Sequence, residues 1–163
     1  MNEQLKEVMQ RQQESKQPPA ELDSIVQLVG FMVGSEEFAV PILSIKEIIK
    51  PIEHTRVPGS PNYVLGVFNL RGSVIPLINL RLKFGLPAEK QGPDTRYIVM
   101  QHNDQMASFV IDSLTEAIRL RESSIDAAPE TIQEGENIIY GVGKKDDRII
   151  TILKAEGLLK RTF

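Results

Sequence analysis

From Ser24 onward the chain breaks into short apolar runs rich in Ile and Val, separated by turn-forming residues. That is the pattern of β-strands joined by hairpins. Residues 25–33 and Phe38-Ala39-Val40, on either side of Gly34-Ser35-Glu36-Glu37, predict strand, turn and strand. Pro41 then opens a run with Ile42, Ile45 and Ile49 at helical spacing, closed by Pro51, and this predicts a short helix. Val57-Pro58-Gly59-Ser60-Pro61 is a loop. Residues 63–70 are almost wholly apolar, which predicts a strand covered on both faces. Arg71-Gly72-Ser73 turns the chain back into residues 74–80, where Pro76 has no N–H for a ladder and predicts an edge strand or a bulge. Residues 97–100 and 106–111, around Asn103-Asp104, predict a further hairpin, and residues 154–159 a closing helical turn. The stretch 85–94, with Pro87 and Gly92-Pro93, predicts a boundary between two halves. Residues 1–23 are Gln- and Glu-rich, stop at Pro18-Pro19, and read as a flexible N-terminal arm.

The two halves repeat a plan. Phe38-Ala39-Val40 followed by Glu47 aligns with Phe109-Val110-Ile111 followed by Glu116, at offsets of 71 and 69. Gly66-Val67 and Val74-Ile75 align with Gly141-Val142 and Ile149-Ile150, each at an offset of 75. Halves of about 65 to 70 residues are too small to close a full core alone. The expected fold is therefore mostly β, with two small barrel-like halves that exchange strands, one over roughly 38–96 and the other after it.

Composition narrows the chemistry. Nineteen Lys and Arg against 22 Asp and Glu give a net charge of −3, without the basic face that nucleic acid requires. With no cysteine there is no disulfide, thiolate zinc site or cysteine nucleophile. No stretch approaches the ~18 apolar residues of a membrane span, so a soluble, cytoplasmic protein is expected. Gly141-Val142-Gly143-Lys144-Lys145 has neither the spacing nor the Ser or Thr of a phosphate loop. No serine stands in a Gly-x-Ser-x-Gly elbow. The carboxylates cluster in turns, at Glu36-Glu37, Glu134 with Glu136, and Asp146-Asp147. His54 and His102 are far apart and lack an i, i+4 partner, so each reads as a solvated or structural histidine. No catalysis, metal or cofactor is expected.

One constellation stands out. Asn69-Leu70-Arg71 recurs as Asn79-Leu80-Arg81, with a turn and a proline between the copies. Gly72 permits positive φ, which places Arg71 at or near a hairpin tip with its five donors outward. The stretch from Gly66 to Arg81, Gly-Val-Phe-Asn-Leu-Arg-Gly-Ser-Val-Ile-Pro-Leu-Ile-Asn-Leu-Arg, resembles the signature of the CheW family of bacterial chemotaxis. Ile45-Lys46-Glu47-Ile48, Phe109-Val110-Ile111-Asp112 and Tyr140-Gly141-Val142-Gly143 extend the resemblance in family order over about residues 24–159. Departures are Asn79 where Asp is frequent, Lys154 in place of a common Asp, and Gly157 in the last helical turn.

The resemblance implies a CheW-like domain over 24–163, a pair of intertwined five-stranded β-barrels with short helices. It implies a non-enzymatic adaptor that couples the cytoplasmic tips of chemoreceptors to the regulatory domain of the histidine kinase CheA, with other CheW-like domains as further partners. Such a protein works in the cytoplasm at membrane-associated receptor arrays, without inserting into the membrane or binding nucleic acid. Arg71, with Asn69 and Gly72 around it, matches the receptor-coupling position. Ile45, Glu47 and Gly66 match positions of kinase or receptor contact. On a helix Ile45 and Glu47 would point to different sides, whereas on a regular strand both would point the same way. The alternatives are a CheW-like adaptor of another chemosensory array, such as one governing surface motility, and a small hydrolase using His54 or His102 with a carboxylate.

Overall fold

A computed structural model describes residues 23–127 and 138–159. Most of the expected N-terminal arm, residues 1–22, lies outside them. The described residues form β1 (Ile25–Val33), β2 (Glu36–Pro41), β3 (Ile45–Ile49), β4 (Val64–Leu70), β5 (Ser73–Asn79), β6 (Arg96–His102), β7 (Gln105–Ile111), β8 (Ser113–Arg121), β9 (Asp126–Ala127), β10 (Ile139–Lys145) and β11 (Arg148–Leu153). Two 3-10 turns, Ile42–Ser44 and Glu122–Ser124, and two short helices, α1 (Leu80–Lys83) and α2 (Ala155–Leu159), complete them.

The strands make a six-stranded sheet in the order β8-β1-β2-β11-β10-β9 and a five-stranded sheet in the order β3-β6-β7-β5-β4. The two orders share one plan: a hairpin, β1–β2 or β6–β7, pairs in parallel with one strand of a second hairpin, β11 or β5. The offsets in the sequence map onto this plan. Phe38 of β2 lies opposite Thr151 of β11, and Phe109 of β7 lies opposite Ile78 of β5. Glu47 and Glu116 stand on the corresponding end strands β3 and β8.

Three apolar clusters follow from that arrangement. Leu28, Ala39, Ile118, Ile150 and Ile152 fill the six-stranded sheet, and Phe68, Ile75, Leu77, Tyr97 and Val99 fill the five-stranded one. A third cluster joins them: Phe31, Phe38 and Val40 meet Ile98, Met100 and Phe109, with Leu158 and Leu159 of α2 packed in. Each fully buried side chain of this size contributes about 1.5–3 kcal/mol. The shared cluster therefore welds the halves, and neither half keeps its whole core without the other.

Several expectations change. Residues 42–49 are one 3-10 turn and a strand, not a helix, because a run this short between prolines cannot offset helix nucleation while the edge of β6 offers a ladder. The strand buried on both faces is β5, where Ile75 to Ile78 are all buried, whereas β4 alternates. The bulge beside Pro76 falls on the partner strand β4, between Val64 and Gly66, and β5 itself is an interior strand despite the proline. Its parallel ladder to β7 begins only at Leu77, so the missing N–H falls before that ladder, and the Pro76 carbonyl accepts the Ser108 hydroxyl at 2.7 Å. The stretch 85–94 divides nothing, for it connects α1 to β6 within the five-stranded sheet's own span, 45–111. The chain changes sheets instead at Ile42–Ser44 and at Asp112. As ladders, finally, both sheets are open. In the five-stranded one, the chain beyond β3 returns at Thr55 to bridge Val67 of β4 through two 2.8 Å backbone hydrogen bonds. That bridge ties the segment that follows β3 to the opposite end strand, β4.

Candidate functional site

The β4–β5 hairpin closes with two residues, Arg71 at φ 51 and Gly72 at φ 89. Two successive positive φ values make the type I′ turn whose twist suits a hairpin. Glycine accepts that geometry freely, whereas arginine does so against its Cβ. The Asn69 side chain compensates locally, its Oδ1 accepting the Gly72 N–H at 3.0 Å. Asn69, Arg71 and Gly72 are thus one device: a cap, a presented side chain and the residue that permits the turn.

Arg71 leaves the tip with 74% of its side chain exposed, yet it is not free. Its Nε donates to Glu47 Oε2 at 3.0 Å and its Nη2 to Glu47 Oε1 at 3.3 Å. The hydrogen bond from Arg71, more than its charge alone, holds the Glu47 carboxyl below its ordinary value of 4.5. The same bond pushes the guanidinium further up. Because β3 and β4 are the two end strands of this sheet, the ion pair spans the same opening as the Thr55–Val67 bridge. Gly66 is required at that bridge: a Cβ on it would lie 2.2 Å from the Thr55 carbonyl oxygen.

Ile45 and Glu47 do not point the same way, although the segment is extended. The register slips between them, with Ile45 opposite Met100 and Glu47 opposite the next residue back, Val99. A bulge of this kind reverses the alternation. Ile45 therefore packs, half-buried, against the shared core with Ile48, while Glu47 lies on the side of Val99 and the five-stranded sheet's own cluster. Two residues before Ile45, Leu43 is 96% exposed and lines, with Ile25, Pro41 and Ile42, a largely aliphatic groove.

The second Asn-Leu-Arg copy works by the same rule at another place. Asn79 Oδ1 accepts the Leu82 N–H at 3.2 Å and caps α1, so asparagine in place of the family's aspartate still serves as a cap. Arg81 donates to Asp112 from Nε at 3.0 Å and from Nη2 at 2.6 Å, with Glu89 3.1 Å away. Its side chain is only 16% exposed. Of the two arginines, Arg81 is enclosed and Arg71 is presented.

The six-stranded sheet carries a counterpart of the Arg71 tip. Its β10–β11 turn, Asp146-Asp147, also has two positive φ values, 50 and 67. Glu116 accepts Arg148 Nη2 at 2.6 Å and Lys145 Nζ at 3.3 Å, and Arg148 also reaches the buried Glu37 at 3.3 Å. No local sequence signal shows that Arg148 and Lys145 pair with Glu116. The pairing of Glu116 with Glu47 in the repeat is the signal that leads to them.

His54 is exposed and His102 half-buried, and neither has a hydrogen bond or ion pair to a carboxylate among the described residues. The hydrolase alternative finds no imidazole–carboxylate pair there. No helix among the described residues is long and apolar enough to cross a membrane.

Two similar β-halves welded through one shared core, with an arginine presented at a hairpin tip, have the architecture of a scaffold-type module. A family model described as the CheW-like domain matches residues 27–163. The chemotaxis protein CheW of Helicobacter pylori is 56% identical, with all of both chains covered. That of Bacillus subtilis is 34% identical over 87% of this chain and 92% of its own. The crystal structure of the scaffolding protein TtCheW from Thermoanaerobacter tengcongensis superposes with a TM-score of 0.75 at 30% identity, covering 80% of this chain and 90% of that one. The chain belongs to the CheW-like family, and its role is that of a chemotaxis adaptor.

Proposed function

We propose that this adaptor binds the cytoplasmic tips of chemoreceptors and the regulatory domain of the histidine kinase CheA at once, by contact alone and without catalysis, in the cytoplasm at receptor arrays. Residues 24–163 act as one CheW-like domain preceded by the 1–23 arm. Arg71, framed by Asn69 and Gly72, receives the receptor. Ile45 and the aliphatic groove beside it receive the kinase, while Glu47 and Gly66 hold the two surfaces in register. The observation that carries this reading is the presentation of Arg71: a residue in a strained turn, capped by Asn69 and oriented by Glu47, with most of its side chain still open to a partner. Such pre-orientation reduces the ordering cost of binding. A single contact of this size has a Kd in the micromolar range, about −8 kcal/mol, and an array multiplies it.

The test is co-sedimentation of the purified chain with CheA and a receptor cytoplasmic fragment, followed by the kinase's phosphorylation with and without receptor. Binding to both partners and receptor-dependent control are expected. A chain that binds neither partner and leaves phosphorylation unchanged would overturn the assignment.

A further inference from the structure

The chain passes from the five-stranded to the six-stranded sheet through one residue, Asp112, between Ile111 at the end of β7 and Ser113 at the start of β8. That residue is also a hub. Its carboxylate accepts both bonds from Arg81 of α1, and its Oδ2 accepts the Gly34 N–H from the β1–β2 turn at 2.7 Å. Its own N–H donates to the Met32 carbonyl at 2.9 Å. Arg81 from the five-stranded half and the Gly34 N–H from the six-stranded one therefore meet on a single partly buried carboxylate, while Met32 holds the backbone of the same residue. The repeat shows that this is not a general need of the fold. Val40 aligns with Ile111, so the equivalent crossover residue is Pro41, which has no carboxylate and leads into a 3-10 turn.

We infer that Asp112 and Arg81 are positioning residues that set the angle between the two sheets, and through it the spacing between the Arg71 tip on the five-stranded sheet and the kinase-facing groove that β1 and β2 carry on the six-stranded one. This rests on the functional reading above. The geometry gives the clamp leverage. Gly34 lies just before one end of β2, whose other end, Pro41, lines the aliphatic groove with Ile25 of β1 and Ile42. Arg81 lies just past one end of β5, whose other end is the Arg71 tip. The clamp thus grips the far ends of the two strands that carry the candidate binding surfaces. Strands of six or seven residues are about 20 Å long, so a rotation of about 5° at the clamp displaces the opposite ends by about 2 Å. A displacement of that size breaks a bidentate hydrogen bond. A bidentate arginine–carboxylate pair resists such rotation because two parallel bonds fix a plane, which a single charge contact does not.

The experiment uses the full chain with Asp112→Asn and Arg81→Lys, each of which keeps a polar group in place but removes the paired fork. Binding to CheA alone, binding to the receptor fragment alone, receptor control of kinase phosphorylation and the melting temperature are measured for each. Ile118→Val, a change inside the six-stranded sheet's own core, supplies a destabilised chain with the clamp intact. Binary affinities within about threefold of wild type, with receptor control reduced about tenfold in both clamp variants and intact in Ile118→Val, are expected. Control preserved in Arg81→Lys and Asp112→Asn overturns the inference, as does equal loss of control in Ile118→Val. A wild-type chain that binds neither partner refutes the functional reading instead, so the two failures are distinguishable. If Asp112→Asn fails to fold, Arg81→Lys decides alone.

Discussion

Gly66→Ala is the sharpest test of how the five-stranded half is held closed. The added methyl group would sit 2.2 Å from the Thr55 carbonyl oxygen and 2.7 Å from its carbon, both backbone atoms, at a φ of +155. No side-chain rotation relieves that contact, so the Thr55 segment must move off β4. The two 2.8 Å hydrogen bonds between Thr55 and Val67 are then lost. At about 0.5–1.5 kcal/mol net for each bond, the bridge accounts for about 1–3 kcal/mol. Backbone strain adds about 1 kcal/mol. A loss of about 2–4 kcal/mol in a chain of this size lowers the melting temperature by about 5–15 °C. Gly72→Ala is the comparison, because nothing lies within 4 Å of a Cβ there and only the left-handed φ is penalised. Its expected cost is about 1 kcal/mol. Thermal melts of the three forms, with hydrogen exchange at the Thr55 and Val67 amides, separate the two effects. An unchanged melt for Gly66→Ala with both amides still protected would refute the argument, and so would a Gly72→Ala melt as low as that of Gly66→Ala. Because the bridged segment follows directly from the strand that carries Glu47, Gly66→Ala should also weaken receptor capture.

Arg71→Lys keeps the charge but loses the planar fork, so receptor capture should fall between wild type and Arg71→Ala, the latter weaker by about tenfold or more. Equal capture by Arg71→Ala and wild type would make Arg71 a solvated turn residue. Ile45→Ala, half-buried against the shared core, should lose about 1–2 kcal/mol of stability. It should also weaken CheA capture about tenfold, more than Ile48→Ala on the same face does. Stability loss with unchanged capture would leave Ile45 a core residue only. The Glu47 carboxyl titrates lower in the folded than in the unfolded chain, so its pair with Arg71 stabilises above the unfolded value of 4.5 and is lost as pH falls through the folded one. Receptor capture should hold from about pH 8 to about pH 5 and weaken in more acidic solution. An NMR titration should show the Glu47 midpoint rising in Arg71→Ala, and identical midpoints would dissolve the pair.

The hairpins were legible in the sequence because their signals are local. Gly34, Arg71-Gly72 and Asn103 punctuate apolar runs, and the turns form at those places. The repeat was legible too, since Phe38 and Phe109 occupy the same position in two similar sheets. What misled was density without context. Ile42, Ile45 and Ile49 have helical spacing only because a bulge between Ile45 and Glu47 shifts a strand's alternation by one. Pro76 argued for an edge or a bulge; the bulge lies on β4 instead, and nothing in the sequence shows that the ladder to β7 starts one residue later. Arg71 was found through its motif. Its acceptor, Glu47, lies 24 residues away, and a pairing at that distance depends on which strands end a sheet. The Arg81–Asp112 clamp was hidden for the same reason, although the doubled Asn-Leu-Arg already contained one of its members.

The way the two sheets share the chain also bears on the order in which the protein acquires structure. The five-stranded sheet is built from one continuous stretch, so every pairing it needs is available once residue 111 has left the ribosome. The six-stranded sheet is not: β1 and β2 are made first but wait for β8 and β11 to flank them. Long-range pairings of this kind are slow because loop closure must precede the gain. During synthesis the β1–β2 hairpin therefore carries two unpaired edges until the last strands arrive, and such edges are where a nascent chain aggregates or pairs with a neighbouring copy. The chain's most vulnerable interval is thus the one between completion of its middle and arrival of its end.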